Sequence, residues 1–84
     1  MYYVYMVQCA DNTLYTGIAT ELERRVKEHN ESDKGAKYTR VRRPVVLVYS
    51  ESYPDRSSAS KREYEIKKKM TRTKKLEMIR RFET

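Results

Sequence analysis

The chain lacks most of the residues that mark a special environment. It has one cysteine, Cys9, so no disulfide can close within it. It has no zinc-finger spacing of Cys and His, so apolar packing must hold the fold together. No segment approaches the roughly 18 apolar residues of a membrane span. The amino terminus, Met1 to Thr13, lacks a basic start, and its apolar stretch is short and alternating, unlike a signal peptide. No linker, repeat or low-complexity segment is visible. These absences exclude a disulfide-stapled fold and argue against a membrane-spanning helix. The expectation is one soluble, cytoplasmic domain over residues 1–84, with a small core.

Basic charge is abundant. Nineteen Lys and Arg against twelve Asp and Glu give a formal charge of +7. On so small a surface that favours a polyanionic partner, with nucleic acid the first candidate. Eight tyrosines accompany no tryptophan at all. Many belong to strands, and a few have positions that suggest chemistry.

Tyr2 to Cys9 is rich in β-branched and aromatic residues and reads as a strand. Ala10-Asp11-Asn12-Thr13 is a turn signal, and Leu14 to Ile18 reads as the returning strand of a hairpin. A long loop places Tyr5 and Tyr15 on one sheet face, whereas a two-residue loop separates them. Thr20-Glu21-Leu22-Glu23 has the form of a capping box. The helix it opens runs to about Asn30, with Leu22 and Val26 toward the core. Arg25 and His29 lie one turn apart along its edge. Glu31 to Gly35 is a polar loop. Lys37 to Arg43 is basic with Tyr38 interleaved, and suits an arm contacting phosphates. Val45 to Tyr49 is almost continuously apolar and reads as a central strand buried on both faces, opened by Pro44. Ser50 to Pro54 reads as a loop. A helix follows from about Ser57 to Lys69, capped by Asp55 or Ser57. The last helix spans about Thr73 to Phe82, with Leu76, Ile79 and Phe82 as its apolar face. The order β-β-α-β-α-α predicts an α+β fold: a three-stranded, mainly antiparallel sheet flanked by helices.

Glu63 breaks the pattern of its own helix. Ala59, Glu63, Ile66 and Met70 share one face, and the other three are apolar. A carboxylate there carries a desolvation cost unless a cation or donor meets it. It either pairs with Lys67 one turn on or faces a metal. The bland readings of the other residues are strand packing for Tyr5 and Tyr15, a solvated charge for Arg25 and a helix-dipole partner for His29.

Tyr3-Val4-Tyr5, Tyr15-Thr16-Gly17, Arg25, His29 and Glu63, in that order, resemble the GIY-YIG nuclease superfamily. The stretches Gly35 to Arg40 and Glu63 to Lys67 resemble its small stand-alone bacterial members. The resemblance covers nearly the whole chain. It implies an endonuclease that hydrolyses phosphodiester bonds in DNA with one Mg²⁺ or Mn²⁺. By that resemblance Tyr15 activates the nucleophile and Tyr5 supports it. Arg25 binds the phosphate, Glu63 holds the metal, and His29 occupies a position held by His or Tyr. Gly17 permits close approach of backbone or substrate. Lys37, Tyr38, Arg40, Arg42 and Arg43 are the expected nucleic-acid contacts. The chain departs from the pattern at Tyr3 and Thr16, and no asparagine follows Asn30. The alternative is a nucleic-acid-binding module of the same fold with weak or absent turnover.

The chemistry agrees with the resemblance. Arginine offers a planar fork of donors to phosphate oxygens. A metal on one carboxylate polarises the phosphate and assists the leaving oxygen. A free tyrosine has a pKa of about 10 and is only roughly 0.1% ionised at pH 7, so activation needs a neighbouring cation.

Overall fold

The computed structural model describes residues 1–83. Strands β1 (Tyr2–Gln8) and β2 (Leu14–Ala19) form the expected hairpin. Helix α1 (Leu22–Glu31), a short helix α2 (Lys37–Arg40) and strand β3 (Val46–Tyr53) follow. Helix α3 (Arg56–Tyr64) runs into a π-helical turn (Glu65–Lys69), and α4 (Arg72–Glu83) ends the described chain. The sheet is fully antiparallel, in the order β2-β1-β3. This is the expected α+β architecture, with one extra helical turn in the basic segment.

The hairpin register follows from its loop. Cys9 to Thr13 closes on itself through Cys9 N–H to Thr13 O at 2.8 Å and Asn12 N–H to Cys9 O at 2.9 Å. Asn12 adopts φ 68°, a left-handed turn that asparagine tolerates better than most residues. Asp11 accepts from the Thr13 amide and hydroxyl. The resulting register sets Tyr5 opposite Gly17 and Val7 opposite Tyr15. Tyr5 and Tyr15 therefore share one face.

The central strand is β1, which corrects the sequence expectation for Val45 to Tyr49. Val4, Tyr5, Met6 and Val7 are all completely or almost completely buried. Helices cover the strand on both sides. Val4 and Met6 pack with Ala59, Ile66 and Ile79 from α3, the π turn and α4. Val7 packs on the opposite face with Cys9, Val45 and Val26 of α1. Tyrosines in β1 make its double burial less obvious than a Val/Leu run does. β3 is instead an edge strand, and Val46 is 61% exposed. A bulge pairs Met6 with Tyr49 but Val7 with Leu47, leaving Val48 as the extra residue.

β3 also continues through Ser50 to Tyr53, where a loop was expected. The polar Glu51 masks the strand, yet it points at the helices and gathers donors. Tyr49, Tyr53 and Arg62 Nε, the last at 2.8 Å, all donate to its carboxylate. Burial alone would raise the Glu51 pKa, but these donors outweigh it and hold the pKa below the ordinary range.

Two helix details differ from expectation, and one agrees. The capping box does not form: Glu21 is the N-cap residue of α1 and its side chain caps nothing. Asp55 does cap α3, accepting from Ser58 N–H at 2.7 Å. α4 buries Ile79 and packs Met78 on the core, while Leu76 and Phe82 remain 43% and 50% exposed.

Candidate active site

The site lies on the α1 side of the hairpin. Tyr5 crosses over β2, and Gly17 is what permits it. A β-carbon at position 17 would stand 2.6 Å from the Tyr5 hydroxyl and 2.8 Å from its Cζ. The glycine thus makes room for a protein side chain, a role distinct from contact with substrate. The Tyr5 hydroxyl then meets His29 Nε2 at 2.6 Å.

His29 is wholly enclosed. Its Nδ1 lies 2.9 Å from Thr39 Oγ1, and Thr39 in turn donates to Ala36 O at 2.9 Å. One tautomer satisfies all three short bonds: Tyr5 O–H donates to Nε2, Nδ1–H donates to Thr39, and Thr39 O–H donates to the carbonyl. Burial first, then the charges of Arg25 and Arg43, push the His29 pKa down to about 4, with Glu28 opposing. The imidazole is neutral at pH 7. Burial pushes the Tyr5 pKa up to about 12, against the pull of Arg25. Tyr5 is therefore a protonated, fully engaged group.

Tyr15 differs in the feature that matters. Its ring is gripped by the edge of His29, with centroids 5.3 Å apart, and by Tyr38, stacked at 5.9 Å and 23°. Lys67 Nζ lies 5.5 Å from its centroid. Yet among the described residues its hydroxyl has no hydrogen-bond partner. The ring is held and the tip is free.

Arg25 comes from α1 and is 27% exposed in its side chain. One nitrogen, Nη1, donates to Glu28 at 2.9 Å and to Lys34 O at 2.8 Å. It also lines a cleft of about 290 Å³ with Arg24 and Arg56.

Glu63 comes from α3, at the rim of the expected apolar face. Ala59 and Ile66 are buried and Glu63 is 26% exposed in its side chain. It pairs with Lys67 at 3.6 Å, as a surface helix residue does. Its charge nonetheless acts on Tyr5, and the same Lys67 lies beside Tyr15. The five residues Tyr5, Tyr15, Arg25, His29 and Glu63 are thus brought together from β1, β2, α1 and α3.

No group of three or more His, Cys, Asp or Glu side chains suited to a metal occurs among the described residues. That excludes a closed cage of protein ligands within them. An ion such as Mg²⁺ needs only one or two carboxylates, since water and substrate phosphate complete its shell. Glu63 offers one such oxygen donor.

The basic segment is divided. Arg43 donates to His29 O and Ser32 O, both at 2.6 Å, and so closes the carboxyl end of α1. Arg42 Nε donates to Asp11 at 3.0 Å and Nη1 to Tyr38 O at 2.8 Å. Arg40 makes one bond, to Asp33 O, and remains exposed beside Lys37 and Tyr38. Sequence reasoning missed Thr39, Asp11 and Lys67. A small hydroxyl among basic residues and an acid in a turn carry no distinctive signal. Lys67 was visible only as the helical neighbour of Glu63.

Residues 1–77 match the GIY-YIG catalytic domain model. A UPF0213 protein of Desulfotalea psychrophila is 58% identical, over 98% of this chain and 74% of its own length. One from Staphylococcus haemolyticus is 56% identical over 93% of both chains. The solution NMR structure of a UPF0213 protein from Bacillus halodurans is 44% identical with a TM-score of 0.58, covering 94% of this chain and 83% of that one. That of a protein from E. faecalis is 43% identical with a TM-score of 0.64, covering 98% and 85%. GIY-YIG domains bind nucleic acid and generally use divalent metal ions. With the motif tyrosines on one sheet face and a model match over most of its length, the chain belongs to the GIY-YIG nuclease family.

Proposed function

We propose that this protein is a metal-dependent endonuclease that hydrolyses phosphodiester bonds in DNA, with residues 1–84 acting as one catalytic domain. The observation that carries the reading is the contrast between two tyrosines in one pocket. Tyr5 is hydrogen-bonded, buried and held protonated, while Tyr15, its ring held by His29 and Tyr38 with Lys67 Nζ 5.5 Å from its centroid, presents an unengaged hydroxyl.

In this reading Tyr15 acts as its phenolate, taking the proton of the attacking water and becoming the neutral phenol as the new bond to phosphorus forms. The Arg25 guanidinium has donors beyond Nη1 to meet the phosphate and the charge that builds on it. Tyr5 and His29 form the rigid floor that orients Tyr15. Glu63 holds one Mg²⁺ or Mn²⁺, and the bound ion supplies charge neutralisation and leaving-group assistance. Gly17 serves by admitting Tyr5. Lys37 and Arg40 offer the exposed face of the basic segment to the backbone, with Arg42 and Arg43 holding that segment in place.

The test is incubation with single-stranded, duplex and flapped DNA, with and without Mn²⁺, beside Glu63→Gln. The expected result is Mn²⁺-dependent cleavage by the natural sequence and none by the variant, with DNA affinity retained. Binding without cleavage under any metal would favour the second reading, a binding module of the same fold. The absence of any asparagine after Asn30 is what favours that alternative.

A further inference from the structure

The exposed aromatic of the basic segment is already engaged by two partners. Tyr38 is 38% exposed, which invites a role as a stacking platform for a nucleobase. Both of its partners argue otherwise. Tyr15 stacks with it at 5.9 Å and 23°. The Arg42 guanidinium lies 4.0 Å from its ring centroid. Arg42 is itself fixed by Asp11 in the hairpin loop, at 3.0 Å, and by the Tyr38 carbonyl, at 2.8 Å. Asp11 is in turn tied to Thr13, one residue before β2 begins. The chain of contacts therefore runs Asp11, Arg42, Tyr38, Tyr15, and returns to the strand that carries Tyr15.

We propose that Tyr38 and Arg42 are positioning residues for Tyr15, clamping its ring through a cation–aromatic–aromatic stack anchored on Asp11, rather than contacts to the substrate. This rests on the nuclease reading with Tyr15 as the acting hydroxyl. The physical need is plain. A tyrosine with no hydrogen bond to its hydroxyl has nothing to fix its tip except what holds the ring. His29 grips it from one side at 5.3 Å, and an edge contact alone leaves the ring free to swing. A stacked neighbour removes that freedom while leaving the oxygen exposed to water and phosphate. Aromatic stacking and a guanidinium over a ring each add modest stabilisation. Their value here is angular: misplacing a reacting group by about 1 Å can cost on the order of a hundredfold in rate.

The experiment compares Tyr38→Phe, Tyr38→Ala and Arg42→Gln. Two measurements are made on each. The first is cleavage and affinity on a fluorescein-labelled mixed-sequence DNA oligonucleotide, with affinity measured without divalent metal. The second is NMR of protein carrying ring-labelled tyrosine, with the Tyr15 signal assigned by Tyr15→Phe. Tyr38→Phe keeps the stack and should stay within about twofold of the natural sequence in kcat. Tyr38→Ala should lower kcat by roughly ten- to a hundredfold with affinity within about twofold, and shift the Tyr15 ring signal. Arg42→Gln should fall between them, and because it leaves every ring in place it guards against a folding defect in Tyr38→Ala. Weakened affinity with unchanged kcat would overturn the proposal and make Tyr38 a substrate contact. An unmoved Tyr15 signal in Tyr38→Ala would also overturn it. If the natural sequence cleaves nothing with Mn²⁺, the nuclease reading falls and the catalytic role of the stack falls with it. The NMR result then still reports separately whether the ring is clamped.

Discussion

Gly17 stands directly across the hairpin from Tyr5, and the space its missing side chain leaves is filled by the Tyr5 ring. Gly17→Ala would put a methyl group 2.6 Å from the Tyr5 hydroxyl. The ring end is locked against His29 and cannot yield cheaply. The expected cost is about 1–3 kcal/mol, as for overpacking of a tight core. Urea denaturation checks it, and an unchanged midpoint would show that Tyr5 has an alternative seat.

The two motif tyrosines should separate under the same substitution. Tyr5→Phe leaves His29 Nε2 buried without its 2.6 Å partner. That should destabilise the fold by about 1–3 kcal/mol. Tyr15→Phe removes a hydroxyl with no internal partner, so stability should change by less than about 0.5 kcal/mol while cleavage is lost. Paired denaturation and cleavage measurements decide it; equal stability losses would contradict the contrast.

His29 makes stability depend on pH in a definite direction. Its folded pKa is about 4, below the ordinary histidine value of 6.5. Between these values the unfolded chain binds a proton that the folded chain refuses. The full stability is present above about pH 6.5, is lost as pH falls toward 4, and levels off below, with a slope of at most about 1.4 kcal/mol per pH unit. Glu51, whose pKa is held low, adds to the loss as pH falls through its folded value. Denaturation curves at several pH values test this, and a flat profile across that range would refute a neutral, enclosed His29.

Glu63 and Lys67 make a pair that is easy to remove without harm to the fold. Glu63→Gln should alter stability by less than about 1 kcal/mol, as exposed ion pairs do. Mn²⁺ binding, read by electron paramagnetic resonance in the presence of DNA, should weaken sharply. Lys67→Met should strengthen it, since the ammonium 3.6 Å away no longer competes for the carboxylate. If Glu63→Gln unfolds the chain, the carboxylate is structural.

Arg43 and the pair Lys37 and Arg40 should behave oppositely, although they share one basic segment. Arg43→Ala frees two carbonyls at the end of α1 and should cost about 1–3 kcal/mol, with little change in the salt dependence of DNA binding. Joint replacement of Lys37 and Arg40 by alanine should spare stability and flatten the log–log salt slope by about 1 to 2. Titrations at several salt concentrations separate the two outcomes.

Much of the architecture was legible in the residues themselves. The hairpin, the helix carrying Arg25 and His29, and the apolar face interrupted by Glu63 are local patterns, set by strand alternation and helical period. So was the family, because its motif is an ordered set of short strings. What only the tertiary structure decided is long-range. Val45 to Tyr49 and Tyr2 to Val7 are both apolar enough to be central, and packing of helices on both faces of β1 settled the matter. The five-residue loop around Asn12 chose the register that unites Tyr5 with Tyr15. Glu63 lies far along the chain from either tyrosine, so only the docking of α3 brings its charge to Tyr5. The division of Lys37 to Arg43 into anchors and exposed contacts is likewise invisible in sequence. A guanidinium reads the same whether its donors meet a helix end, as in Arg43, or solvent. Which of these occurs depends on where the chain places backbone carbonyls, and that is a property of the folded chain alone.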